Sequence, residues 1–345
     1  MVTMKRLSTA PAHAAPARLI PSRKLPPWAR KRRVAGAALL VLVLVLAALW
    51  PLSRYVGADT VRVVAVGDMA CDPADPGMKP TGRNARDHCR HRAVSDLAVA
   101  LDPAVLVGLG DFQYELPTLA AYHSVYGPSF GRLRDRTVPV YGNQEYKVQD
   151  AATFTEYFGD RVRDQRGYWS EQVGRWHLVV LNSNCGAVAG GCGDGSPQQT
   201  WLDKDLAAAG SRCVLAAWHH PRWSTGIAGP DPRTDALYRT LAEHKVEIVL
   251  SGHEAHYERF PPLNPAGERA PEGVRQFVAG TGGQAHYRPS QAGPGVHSPG
   301  PASEYADYDH HGVLELTLTP TAYEWRFHAL EAAEPVSDSG RETCY

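Results

Sequence analysis

The chain has no excess of charge: 36 Lys and Arg stand against 36 Asp and Glu in 345 residues. That balance is unevenly distributed, because residues 1–33 hold nine basic side chains and no acidic one. From residue 34 onward 27 basic groups face 36 acidic ones, a formal charge of −9. A protein that grips a phosphate backbone concentrates positive charge on its folded part. Here the distribution is the reverse, which argues against nucleic acid as a partner. Close CxxC pairs are missing, so a thiolate metal site is not indicated. Internal repeats and heptads are missing too, which removes solenoids and coiled coils. Hydrophobic residues make up 43%, too many for wholesale disorder and enough for a sizeable core. With 32 Gly and 27 Pro, many loops are expected around that core.

One long run lacks charge altogether. Val34–Trp50 reads VAGAALLVLVLVLAALW, 17 residues that Pro51-Leu52 can extend. A spanning helix needs roughly 17–25 apolar residues. The basic leader and the acidic remainder obey the positive-inside rule. The predicted organisation is a basic cytoplasmic tail (1–33), a transmembrane signal-anchor (34–52) and an exported domain (53–345). The expected location is the cell membrane, single-pass, with the main domain extracytoplasmic. Val56-Gly57-Ala58 resembles a signal-peptide cleavage pattern, and cleavage near Ala58 would release the domain as a secreted protein. Both readings export the domain.

All six cysteines (Cys71, Cys89, Cys185, Cys192, Cys213, Cys344) lie beyond the apolar run. An even number in an oxidising compartment suggests disulfides. Local spacing favours Cys71–Cys89 and Cys185–Cys192, leaving Cys213–Cys344 to staple the C-terminal tail; this is one of 15 possible pairings.

Short β-branched runs of buried-strand type recur at Val61–Val66, Ala104–Leu109, Val138–Tyr141, His177–Leu181, Val214–Trp218 and Val246–Leu250. Amphipathic stretches at His91–Leu101, Gln199–Ala208 and Arg233–Lys245 lie among them, the pattern of an α/β domain. Val274–Ala279, Val313–Leu318 and Tyr323–Phe327 have little helix between them, and Thr319–Ala322 reads as a hairpin turn, so antiparallel strands should complete a mixed sheet arrangement. Cys71–Arg90, Pro261–Gly273 and Gln284–Asp309 read as irregular loops.

The informative residues are those just beyond the strands. Five runs end in Gly67-Asp68, Gly110-Asp111 with Tyr114 three residues on, Gly142-Asn143-Gln144-Glu145, His219-His220-Pro221 and Ser251-Gly252-His253. Parallel strands bring their carboxyl ends to one edge, where such folds bind ligands. Carboxylates, an amide, a phenol and imidazoles gathered there suit Fe, Mn or Zn, and two such ions form a hydrolytic site able to clamp a phosphoryl oxygen. Singly, each element has an ordinary reading: a Gly-Asp after a strand is usually a turn or cap. Jointly they demand a common explanation. His286 and His310-His311 lack that placement and read as loop histidines.

The order GD…GDxxY…GN…HxP…GH, spread over Gly67–Phe260, resembles the calcineurin-like metallophosphoesterases. The Tyr114 spacing and the SGHxxxYER ending resemble their purple acid phosphatase-like branch, and the resemblance covers most of residues 60–330. It implies an α/β fold of two mixed β-sheets packed as a sandwich flanked by helices, holding two divalent or trivalent metal ions and hydrolysing small-molecule phosphate esters. It further implies Asp68 and Tyr114 on the first metal, Asp111 bridging, Asn143, His219 and His253 on the second, and His220 in the substrate shell.

Two departures stand out. Gln144 occupies the place of a histidine that contacts the phosphoryl group and can protonate the leaving group; glutamine has no titratable proton. Losing general-acid help costs on the order of 10²–10⁴-fold, chiefly for poor leaving groups. Ala255 occupies the place of a second histidine, a ligand to the first metal. His256 is offset by one residue and points the opposite way on an extended segment, so it joins the metal ligands only if the chain bends locally. The expected function is therefore a metal-dependent phosphoesterase impaired at Gln144 and Ala255. Alternatives are a degenerate relative that binds one metal or a phosphorylated ligand without efficient turnover, and a structural exported domain.

Overall fold

Val61–Val66 forms β1, a strand buried at every position except Arg62, as a β-branched run between two neighbours should be. The computed structural model describes residues 59–78, 88–210, 212–287, 300–331 and 338–345. The basic tail and apolar run of residues 1–52 lie outside them. Among the described residues no helix is long and apolar enough to cross a membrane.

β1 lies inside a six-stranded sheet of order β13-β12-β11-β1-β2-β3. Here β2 is Val105–Gly108, β3 Thr137–Pro139, β11 Gly312–Thr319, β12 Ala322–Ala329 and β13 Ser339–Thr343. β1, β2 and β3 run parallel, while β11 is antiparallel to β1 and opens a β11–β12–β13 meander. The second sheet has seven strands in the order β10-β8-β9-β7-β6-β5-β4. They are β4 (Trp169–Val173), β5 (Trp176–Val180), β6 (Val214–Ala217), β7 (Ile248–Ser251), β8 (Tyr257–Leu263), β9 (Val274–Ala279) and β10 (Tyr305–Asp307). β5, β6, β7 and β9 are parallel; β4, β8 and β10 complete the edges antiparallel.

Alternation along the second sheet's strands sorts two cores. Leu178, Val180, Leu215, Ala217, Ile248, Leu250 and Phe277 join Val63, Ala65, Val107 and Leu314 of the first sheet in the sandwich interior. Val179, Leu181, Val214, Ala216, Val249 and Val278 face the other way and pack on Leu202, Leu206, Leu237 and Leu241 of two helices, Pro197–Ala209 and Asp235–Glu243. Ser196 starts the first of these helices by accepting the Gln199 N–H, with Pro197 at the position where its missing N–H costs nothing.

The two mixed sheets with flanking helices are those expected, and most predicted strands fall within two residues of their places. Three corrections concern loops. β8 runs through Pro261 and Pro262, where the register shifts against β9, so two residues lacking N–H groups sit at an irregularity instead of ending the strand. Gln284–Asp309, read as irregular, contains β10, and β13 lies in a tail where no strand was expected. All three disulfides form as expected, Cys71–Cys89 and Cys185–Cys192 from local spacing and Cys213–Cys344 by elimination.

Candidate metal centre

The parallel strands of both sheets end at one seam, and their trailing residues meet there. After β1, Asp68 turns in the left-handed region (φ 58°); after β2, Asp111 does the same (φ 52°), and after β7 so does His253 (φ 69°). Such non-glycine positions are sparsely populated and cost on the order of 1–3 kcal/mol each, so a cluster of them marks a site. Glycines permit the close approach. A Cβ on Gly142 would lie 2.2 Å from Asp111 Oδ1, and one on Gly110 would lie 2.5 Å from His219 Nδ1.

Asp68, Asp111 and His219 present ligand atoms within 4.8 Å of one another, as do His219, His220 and His253. The Tyr114 hydroxyl lies 2.8 Å from Asp68 Oδ1 and 2.7 Å from Asp111 Oδ2, although it has only one proton to donate. Asn143 Oδ1 is 3.1 Å from His219 Nε2. Thus Asp68, Asp111, Tyr114, Asn143, His219 and His253 converge. His220 stands beside them, its ring 4.4 Å from that of His253, with Nδ1 2.9 Å from the Ser183 hydroxyl. Gln144 is buried at the edge and donates its backbone N–H to Asp111 Oδ1 at 2.8 Å.

His256 is elsewhere. Its Nε2 lies 3.1 Å from Glu258 Oε2 and its ring stacks on Tyr308 at 4.7 Å, in a buried network that includes Thr225. Neither group of mutually close ligand atoms contains it.

The electrostatics call for a cation. Burial, with the Asp111 charge adding to it, pushes the Asp68 carboxyl up to about 7 against the pull of His219. Burial also opposes ionisation of Asp111, but the His219 charge and hydrogen bond outweigh it and hold this carboxyl below its ordinary value. Burial disfavours the His219 imidazolium, yet Asp111 and Asp68 push it up to about 9. Burial and then the His219 charge bring His253 down to about 4. Two buried carboxylates, a third at Glu145 and one cationic ring leave negative charge that protons hold until a metal displaces them. His219 is built for the exchange. Its Nδ1 donates to the Leu109 carbonyl at 2.7 Å, so the proton a metal would displace is the one on Nε2, 3.4 Å from Asp111 Oδ1, and its loss leaves a lone pair there. The residues fit a metal centre, with one asymmetry: the Asp68–Tyr114 side offers only oxygen.

Sequence reasoning missed three contributors. Glu145 takes the backbone N–H groups of Asp111, Phe112 and Gly142 at 2.9, 2.9 and 2.7 Å and so ties two ligand turns together. Ser183 orients His220. The end of β9, Gly280–Gly283, packs on Asp68, whose Oδ2 would lie 2.8 Å from a Cβ on Gly280. The available signal was positional, since β5 and β9 are also parallel strands with polar or glycine residues just beyond their carboxyl ends.

Comparison with known proteins places this geometry among relatives. The profile of the calcineurin-like phosphoesterases matches residues 61–257. Tartrate-resistant acid phosphatase type 5 of Rattus norvegicus is 25% identical over 240 residues, covering 61% of this chain and 71% of that one. Among solved structures, the purple acid phosphatase PPD1 from yellow lupin (Lupinus luteus) seeds superposes with a TM-score of 0.59 at 15% identity, covering 83% of this chain. This chain spans only 54% of the lupin protein. GAP50, the anchor in the inner membrane complex of Plasmodium, superposes with a TM-score of 0.58 at 12% identity, covering 84% of this chain and 90% of that one. The solved structures show the likeness of fold.

Proposed function

Because the chain belongs to the calcineurin-like phosphoesterase family, we propose that its seam site hydrolyses phosphate esters of small molecules with a dinuclear centre of Fe, Mn or Zn. The observation that carries this reading is the convergence of Asp68, Asp111 and His219 within 4.8 Å, buried and carrying excess negative charge. Asp68 and Tyr114 would hold the first ion, Asp111 both, and Asn143, His219 and His253 the second. The ions would supply Lewis acidity toward the phosphoryl oxygens and acidify the attacking water.

The chain's own residues do the rest. Burial and the neighbouring His219 and His253 charges keep His220 neutral, its pKa well below the ordinary value. Ser183 accepts the His220 backbone N–H at 2.9 Å and donates its proton to Nδ1, so Nε2 carries the hydrogen that a phosphoryl oxygen accepts. Gln144 can donate one further hydrogen bond but cannot protonate a departing alkoxide. Substrates with good leaving groups are therefore favoured.

The test is metal content and hydrolysis of an aryl phosphate by the purified domain. Two ions per chain with turnover support the reading. Two ions without turnover, on aryl and alkyl phosphates alike, favour the alternative of a phosphate-ester binder, which Ala255 motivates. Gln144→His should raise the rate on an alkyl phosphate more than on an aryl one.

We propose as well that residues 34–52 carry the domain across a membrane. Three disulfides in the domain support export, since such bonds persist in oxidising compartments. N-terminal sequencing of the mature protein distinguishes an anchor from cleavage near Ala58.

A further inference from the structure

β5 runs to the seam beside the ligand-bearing strands, yet the residues beyond it include none of the metal-binding candidates. Asn182, Ser183 and Asn184 follow Leu181, and all three are buried. Consecutive polar side chains shut away from water need partners, and theirs lie in two other turns of the seam.

Ser183 reaches the turn after β6, through the two hydrogen bonds it shares with His220. Asn184 reaches the turn after β3. Its Nδ2 donates to the Tyr141 carbonyl at 3.0 Å, immediately before Gly142-Asn143-Gln144, and to Asn182 Oδ1 at 3.0 Å. Asn182 completes the hold beyond the same turn, its Nδ2 donating to the Tyr146 hydroxyl at 2.7 Å, two residues after Gln144. β3 belongs to the six-stranded sheet and β5 and β6 to the seven-stranded one, so the bonds to Tyr141 and Tyr146 cross the seam.

The brace is itself held. Asn182 Oδ1 also accepts the Asn184 N–H at 3.1 Å. Gln198, fully buried on the helix Pro197–Ala209, accepts the Asn182 N–H at 2.7 Å and donates to the Asn182 carbonyl at 3.0 Å. The Cys185–Cys192 disulfide ties the chain directly after Asn184. An amide facing a carbonyl oxygen must present its NH2, and both hydrogens of Asn184 Nδ2 are engaged, so the side chain has one orientation. The metal-facing side of the β3 turn is held separately, by Glu145 on the Gly142 N–H and Asp111 on the Gln144 N–H. Asn182 and Asn184 therefore govern how that turn sits against the turn after β6.

We propose that Asn184 is a positioning residue for Gln144, as Ser183 is for His220, and that the turn they share fixes the span between two side chains that grip a phosphoryl group from opposite sheets. The inference rests on the phosphoester reading of the seam and deepens it. Affinity for the phosphoryl group depends on a turn that gives no ligand to a metal.

The test is calorimetric titration of the purified full chain, loaded with zinc, with inorganic phosphate, and zinc per chain is measured beside it. Asn184→Ala should keep the wild-type zinc content and bind phosphate about tenfold more weakly, the scale of one buried hydrogen bond removed. Asn184→Ser, whose hydroxyl is too short to reach the Tyr141 carbonyl, should do the same. In a Gln144→Ala background Asn184→Ala should weaken phosphate by less than about twofold, because the side chain it positions is already gone. In a His220→Ala background it should keep its full effect. Unchanged phosphate affinity in Asn184→Ala overturns the proposal, as do equal factors in the two backgrounds, which would make Asn184 a general support of the fold. Loss of zinc by Asn184→Ala overturns it too, since the turn would then serve the metal centre. A wild type that takes up zinc but binds no phosphate overturns the phosphoester reading and the positioning role with it, a result distinct from failure of the Asn184 assignment alone.

Discussion

Glu145 holds the backbone of Asp111: its Oε2 accepts the Asp111 N–H at 2.9 Å and the Gly142 N–H at 2.7 Å, while Oε1 takes that of Phe112. Burial and then the Asp111 charge push this carboxyl up to about 7, yet both its oxygens are engaged. Glu145→Gln turns one acceptor into a donor aimed at N–H groups. The expected cost is about 1–3 kcal/mol in thermal or urea unfolding, with weaker metal retention because two ligand turns lose their tie. Unchanged stability and zinc content would show that the tie is dispensable.

Asp111→Asn tests the charge pair and the metal separately. An amide oxygen can still accept the Gln144 N–H at Oδ1, but the buried His219 charge that holds the Asp111 carboxyl below its ordinary value loses its main partner. In chelator at neutral pH the variant should melt below wild type. Adding zinc should raise the wild-type Tm by several degrees and leave the variant where it was, because a ligand stabilises only the state that binds it.

The disulfides should differ in worth. Cys213–Cys344 spans 131 residues and Cys185–Cys192 only 7. Loop-closure entropy then assigns about 5 kcal/mol to the first and about 2 to the second. Paired Cys→Ser changes measured by denaturant midpoint should keep that order; the reverse order would place the stabilisation in native contacts.

Acid should weaken the fold through His91. Burial, helped by Arg92, brings this ring from 6.5 down to about 4. Above pH 6.5 neither native nor unfolded chain protonates it. Between 6.5 and about 4 the unfolded chain takes up the proton and the native chain does not, so stability falls as pH falls, by on the order of 3 kcal/mol in total. Below about 4 this contribution is constant. His91→Gln should flatten the stability–pH slope across that window, and an unaltered slope would assign it to other groups.

The strand ends were readable because buried parallel strands are continuous apolar runs and their last polar residue is conspicuous; Asp68, Asp111 and His253 stand out this way. β8 was not, because Pro261 and Pro262 resemble a loop when their bulge cannot be foreseen. Glu145 was legible as a letter of the motif but not as a backbone clamp, since its three partners come from two separate turns. His256 shows the limit of spacing arguments. Offset by one residue, it turned into the Glu258–Thr225–Tyr308 network, where a buried carboxylate offers a partner without any metal.

The two sheets already touch at the seam through Gly67 N–H to the Ala279 carbonyl at 2.8 Å and His253 N–H to Asp68 Oδ2 at 2.8 Å. A cation shared by Asp68 and Asp111 from one sheet and His219 from the other would act as a rivet through both leaves. Loading and unloading would then be felt as tightening or slackening of the whole sandwich. Hydrogen exchange along β1 and β7 would register the occupancy of a site at their tips.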